Sequence, residues 1–118
     1  SFLDLRRAVL HIVDFYGASF CSSNLQEIGA AFACFMLSDF CNADMRRADV
    51  QGANLEGTNF EKANLQGANL QGANVQGANL QGAKLEGTKL EGAKLEGAKL
   101  PPRRRVAPQV KKDGKQAD

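Results

Sequence analysis

From residue 5 to residue 100 every fifth position is apolar, and the frame never slips. The series opens Leu5, Leu10, Phe15, Phe20, Leu25 and closes Leu80, Leu85, Leu90, Leu95, Leu100, with Ala30 its one small member. Two residues before each of these, thirteen of twenty positions are Ala, so a small residue accompanies nearly every large one. An α-helix cannot bury such a pattern. Five residues turn it by about 500°, so successive leucines scatter around the axis. A straight strand fails as well, because an odd period sends successive leucines to opposite faces. A chain that turns a corner every five residues succeeds. Each pentad is then one side of a square, with the apolar residue and its small companion pointing inward and three positions pointing outward. Four sides make a coil of about twenty residues, and the next coil stacks on it at strand spacing, roughly 4.8 Å. Ala suits a narrow interior beside Leu or Phe, since a second bulky side chain would overpack it. Gly before Ala supplies the corner conformation, and Asn before Leu tolerates turn geometry and bonds locally.

These residues resemble the pentapeptide-repeat family, with its consensus A-[DN]-L-x-x. Ala53-Asn54-Leu55-Glu56-Gly57 and Ala63-Asn64-Leu65-Gln66-Gly67 match it fully. Ala43-Asp44-Met45-Arg46-Arg47 and Ala48-Asp49-Val50-Gln51-Gly52 match it closely. The resemblance implies an all-β fold, a right-handed quadrilateral β-helix of about five coils over residues 1–100, with residues 101–118 as an irregular basic tail. The pattern departs from the consensus at Ile28-Gly29-Ala30, and from Ala83-Lys84-Leu85 onward, where Lys replaces Asn. Both departures leave the frame intact and so bear on surface chemistry.

Stacking by twenty predicts a core ladder of Phe20, Phe40, Phe60, Leu80 and Leu100 beside one headed by Phe15 and Phe35. Offset ring stacking is expected in the N-terminal coils. Pro101-Pro102 ends the coil, since proline cannot donate to a ladder. The open ends need capping, which leaves room for an end-to-end homodimer. The chain does not open on Met and reads as a mature or partial product.

Residues 1–100 carry nine basic and eleven acidic side chains, and the tail carries six basic and two acidic, so the formal +2 belongs to the tail. Arg103, Arg104, Arg105, Lys111 and Lys112 are the candidate tail contacts, toward nucleic acid, anionic lipid or an acidic protein face. Toward the C-terminal end Lys84, Lys89, Lys94 and Lys99 alternate with Glu86, Glu91 and Glu96 as a balanced charge belt, which opposes sheet addition.

Val9, Ile12, Tyr16, Phe32, Met36 and Leu37 fall on outward positions of two adjacent sides. An apolar patch of this kind marks a protein interface. Cys21 and Cys41, twenty apart, form a candidate disulfide pair. The odd count of Cys21, Cys34 and Cys41, with no secretory signal, favours free thiols. There is no CxxC or Cys/His metal spacing. His11 is the single histidine and faces outward. Asp39, Asp44 and Asp49 point in different directions and look like turn-stabilising residues. No catalytic constellation, cofactor site or substrate cavity is expected, nor a membrane span.

The function these features favour is a non-catalytic docking subunit that mediates protein–protein contacts in a larger assembly. Any membrane association would then run through the partner. The resemblance brings in cyanobacteria and plastids, with some members in the thylakoid lumen, so a photosynthetic complex is one host it implies. It also brings in DNA mimics that bind DNA gyrase. That role needs a strongly acidic, long rod, and the small net charge of residues 1–100 disfavours it. Nucleic-acid binding through the tail lacks interleaved aromatics.

Overall fold

The computed structural model describes residues 3–102. Its backbone returns on itself every twenty residues. Parallel bridges pair each residue i with i+20, from Asp4↔Asn24 through Asn79↔Lys99, and each bridge lies just before a central apolar residue. Three backbone bonds tie a typical side to the coils around it. Asn64 N–H donates to the Ala43 carbonyl at 2.9 Å, Leu65 N–H to Lys84 at 2.9 Å and Gly67 N–H to Glu86 at 3.0 Å. A fourth closes the corner, from Ala68 N–H to the Leu65 carbonyl at 3.0 Å.

That corner is a four-residue turn whose third residue has positive φ, the mark of a type II turn. Glycines take this position at ten corners, with φ from 65° to 75°. Nine other corners hold a residue with a Cβ there, from Arg7 to Lys62, at φ from 57° to 66°. The backbone geometry is therefore uniform where the sequence is not. The next such position is Pro102. Proline holds φ near −65°, so it cannot make this turn, a stronger reason for the coil to end than the missing N–H.

Where the residue before the central apolar one is Asp or Asn, its side chain caps the corner. The Oδ1 atoms of Asn54, Asn64 and Asn74 accept from the N–H two residues on, each at 3.1 Å. Asp39, Asp44 and Asp49 do the same at 3.0, 3.3 and 3.2 Å. Lysines at 84, 89, 94 and 99 have no acceptor to offer, so the last coil (83–102) lacks these caps.

Inside, Leu55, Phe60, Leu65 and Val75 are fully buried, and so are the companions Ala53, Ala63 and Ala73. Five phenylalanines form one cluster. Phe15 stacks on Phe35, Phe20 on Phe40 and Phe40 on Phe60, with centroids 5.1–5.2 Å apart and planes within 11° of parallel. Across the interior Phe15–Phe20, Phe20–Phe35 and Phe35–Phe40 meet edge to face. The parallel pairs sit at about the spacing of successive coils, so the register of the backbone sets the stacking of the rings. At three of the four positions where Ser or Thr replaces the small Ala, its hydroxyl donates to a carbonyl in the coil below. Ser38 donates to Phe15 at 2.8 Å, Thr58 to Phe35 at 3.0 Å and Thr88 to Leu65 at 2.7 Å.

The ladder is not buried along its whole length. Phe15 is half-buried and Leu100 is 50% exposed. Among the described residues each has a neighbouring coil on one side only, so membership of the column does not ensure burial.

Candidate docking surface

The expected apolar patch is present on two adjacent corners. Val9, Ile12, Tyr16, Phe32 and Leu37 are 54–79% exposed, while Met36 is half-buried. Three of these residues, Ile12, Phe32 and Leu37, occupy the positive-φ position, at 66°, 61° and 59°. For a residue with a Cβ that conformation costs roughly 1–2 kcal/mol, and for β-branched Ile it is a genuine outlier. The side chains of Phe32 and Leu37 lean toward the next coil, onto the glycine of the same corner. A Cβ at Gly52 would overlap the Phe32 ring, and one at Gly57 would lie 2.6 Å from Leu37 Cδ2. Phe32 and Leu37 are thus seated as ridges on bare backbone. Beside them runs a shallow groove, with Tyr16, Met36 and Leu37 at one end and Glu56, Gly57, Gln76 and Gly77 along it.

The other corners differ. On one, Arg46 grips Asp44 through two hydrogen bonds, Nε to Oδ1 at 2.9 Å and Nη2 to Oδ2 at 2.7 Å. This holds the Asp44 carboxyl below its usual range. Glu27 lies between Arg7 and Arg47 of the neighbouring coils, at 3.6 and 3.9 Å. On the adjoining corner Cys21 and Cys41 are joined as a disulfide, with Cα atoms 4.7 Å apart, so the preference for free thiols is corrected there. Coil stacking alone brings the two Cα atoms within bonding range. Cys34 is free and half-buried. Asp39 lies within 4.8 Å of the two sulfurs, but sulfurs bonded to each other offer no thiolate to a metal.

His11 is not a bare outward side chain. Its Nδ1 accepts from Ala31 N–H, one coil away, at 2.9 Å. At this corner the capping position is Gly29, which has no side-chain acceptor, and His11 supplies one from below. Gly29 also makes the room, since a Cβ there would sit 3.1 Å from His11 Cε1. The tail contacts expected at Arg103, Arg104, Arg105, Lys111 and Lys112 lie outside the described residues.

Against known families, the model for pentapeptide repeats matches residues 37–61 and 63–100, as eight copies. The chain belongs to the pentapeptide repeat family. Its fold is accordingly the family's right-handed β-helix, a solenoid. Among solved structures it is similar to the pentapeptide repeat protein Rfr23 from the cyanobacterium Cyanothece 51142, at 38% identity and TM-score 0.57, over 82% of this chain and 63% of that one. A pentapeptide repeat protein from Nostoc PCC 7120 matches at 28% identity and TM-score 0.52, over 86% and 77%. One from the Arabidopsis thaliana thylakoid lumen matches at 30% identity and TM-score 0.51, over 80% and 66%. The chain thus spans less than two thirds of the length of the first of these. Among curated protein sequences, none matches it.

The pentapeptide repeat match begins at Leu37, whereas the coil geometry begins by Asp4. Val9, Ile12, Tyr16, Phe32 and Met36 all precede it. The family's signature therefore starts where the apolar patch stops. Among the described residues no helix is long and apolar enough to cross a membrane.

Proposed function

We propose that this pentapeptide repeat protein is a non-catalytic docking subunit, a rod of five coils that holds a protein partner on its N-terminal corners. One observation carries the reading. Ile12, Phe32 and Leu37 are large, exposed and apolar at a backbone position where glycine is the relaxed choice. Strain at exposed residues that do not fill the core points to use by something outside the fold. The partner offers an extended apolar segment that lies over Ile12 and Phe32 and follows the groove past Leu37 and Gly57. The Cys21–Cys41 bond favours an oxidising compartment. With a thylakoid-lumen relative among the matches, the host we favour is a plastid or cyanobacterial assembly in the lumen.

The test uses glycine, because it removes the ridges and relaxes the backbone together. Wild type and a Phe32→Gly/Leu37→Gly variant are expressed in the native source and sized by native electrophoresis. The expected result is a defined high-mass band for wild type. The variant leaves that band although its isolated form melts no lower than wild type. Retention of the variant in the same band overturns the reading.

A further inference from the structure

We propose that Cys21, Cys41 and Asp39 form a redox-gated metal site. Once a dithiol reduces the Cys21–Cys41 bond, the two thiolates and the carboxylate take one zinc ion. The metal then joins the same two coils that the disulfide joins. The site stands outside the apolar patch and needs no partner protein.

Successive coils bring the three donors together. Cys21 and Cys41 hold the same corner position twenty residues apart, and Asp39 stands at the cap position two residues before Cys41. Both sulfurs and one Asp39 carboxylate oxygen lie within 4.8 Å of one another, and all three residues are half-buried. Backbone bonds hold the donors in place without help from the disulfide. Phe20 N–H donates to the Asp39 carbonyl at 2.7 Å, Asp39 N–H to Ala18 at 2.9 Å and Ser22 N–H to the Cys41 carbonyl at 2.8 Å. The carboxylate is also oriented as a ligand is. Its Oδ1 accepts from Cys41 N–H at 3.0 Å and from Asn59 Nδ2 at 3.2 Å. Its Oδ2 accepts from nothing among the described residues, so its lone pairs face no competitor for a cation. Hydrogen bonds from outer groups hold metal-binding carboxylates in this way. Asp44 differs, because Arg46 takes both of its oxygens. Cys34 differs too, because its column neighbours are Asp14 and Asn54 and offer no second sulfur.

Reduction breaks the S–S bond with two electrons from the dithiol, which becomes a disulfide and passes its two protons to the cysteines. Zinc displaces those protons as two Zn–S bonds form, and thiolate sulfur is a ligand it prefers. Two sulfurs on a tetrahedral zinc sit roughly 3.8 Å apart. Cα atoms 4.7 Å apart allow that opening by rotation about each Cα–Cβ bond. Asp39 gives the third ligand and water completes the tetrahedron. In an oxidising compartment the disulfide closes the pair and shuts the metal out. Where dithiols prevail, the metal closes it instead.

Titration of the full chain with Co²⁺, a spectroscopic stand-in for zinc, tests this after reduction with a phosphine. The reduced chain is expected to bind one equivalent, with thiolate-to-cobalt charge-transfer absorption and the visible bands of a tetrahedral site. Zn²⁺ then displaces the cobalt, and the oxidised chain shows neither signal. Cys21→Ser abolishes the charge-transfer band, while Cys34→Ser leaves it unchanged. Asp39→Asn keeps the corner cap, as Asn does at 54, 64 and 74, so it removes the anionic ligand without removing the turn. It weakens zinc binding at least about tenfold. Circular dichroism melting follows the fold of the reduced chain, and saturating zinc raises its melting temperature because the metal binds the folded coils. The proposal is overturned by a reduced wild type that binds no cobalt, or by binding that survives Cys21→Ser or requires Cys34. An affinity unchanged by Asp39→Asn, or a melting temperature that zinc leaves unchanged, overturns it equally.

Discussion

Residues 3–50 and residues 51–100 trace the same path with different means. In the later half glycine takes every positive-φ corner except Lys62, an Asn or Lys precedes each apolar residue, and Leu and Val dominate the interior. In the earlier half Gly17 is the one glycine corner and the others hold Arg, Ile, Ser, Glu, Phe, Leu and Asn, while the interior holds four of the five clustered phenylalanines. Both halves close the same ladder. The comparison separates what the coil needs from what it tolerates. It needs an apolar residue inward every fifth position and a corner able to reach positive φ. It tolerates a Cβ at that corner when packing in the interior offsets the strain.

The largest expected effect tests that offset. Phe40 is fully buried between Phe20 and Phe60 and meets Phe35 edge-on. Phe40→Ala should lower unfolding stability by roughly 3–5 kcal/mol. Leu70→Ala, in the later half, should cost about 1 kcal/mol less, the difference being the ring–ring contribution. Urea unfolding measures both, and equal losses would remove the special role given to the aromatic cluster.

Next come the corners. Nothing lies within 4 Å of a Cβ built on Gly72, so Gly72→Ala isolates the backbone term and should cost about 1–2 kcal/mol. Ile12→Gly reverses that exchange at a side chain 79% exposed. It should be neutral or stabilise by up to about 1 kcal/mol, once the entropy of the freer unfolded glycine is counted. A destabilised Ile12→Gly would mean that Ile12 contributes to the fold, and would weaken its assignment to docking.

The smallest effect is the borrowed cap. His11→Ala should cost about 1 kcal/mol, as loss of a side-chain acceptor does at a helix cap. Adding Gly29→Asn to that variant should restore the loss, because Asn then caps the corner from its usual place. Gly29→Asn with His11 retained should not stabilise, since the new Cβ crowds the ring. This double-mutant cycle should show a coupling of about 1 kcal/mol, and additivity would dismiss the His11 cap.

The pentad frame made the architecture legible, because inward positions and coil length follow from the period alone. The turn-stabilising roles of Asp39, Asp44 and Asp49 were also legible, each being local to one corner. Three features were not. The positive φ of Ile12, Phe32 and Leu37 was hidden because these residues replace glycine and read only as surplus apolar surface. The His11–Ala31 bond joins residues twenty apart and depends on an absent side chain at Gly29, a gap that composition does not flag. For Cys21 and Cys41 the register names the pair, but its oxidation is not legible, because the odd cysteine count points to thiols where the structure holds a bond. Periodicity specifies a backbone, and contacts between successive coils need the register made explicit.

The Cys21–Cys41 bond also gives this rod a mechanical character. A stack of coils held only by neighbours peels from its end when pulled. Traction on the N-terminus would strip residues 3–20 one side at a time and then meet a chain closed on itself between 21 and 41. The nineteen residues inside that hoop cannot pay out as length, so about 70 Å of contour stays locked at full extension. Any tension arriving from the N-terminal side would bypass the second coil and load the third directly. A dithiol would release the stored slack and turn a stiff spacer into a longer, yielding tether.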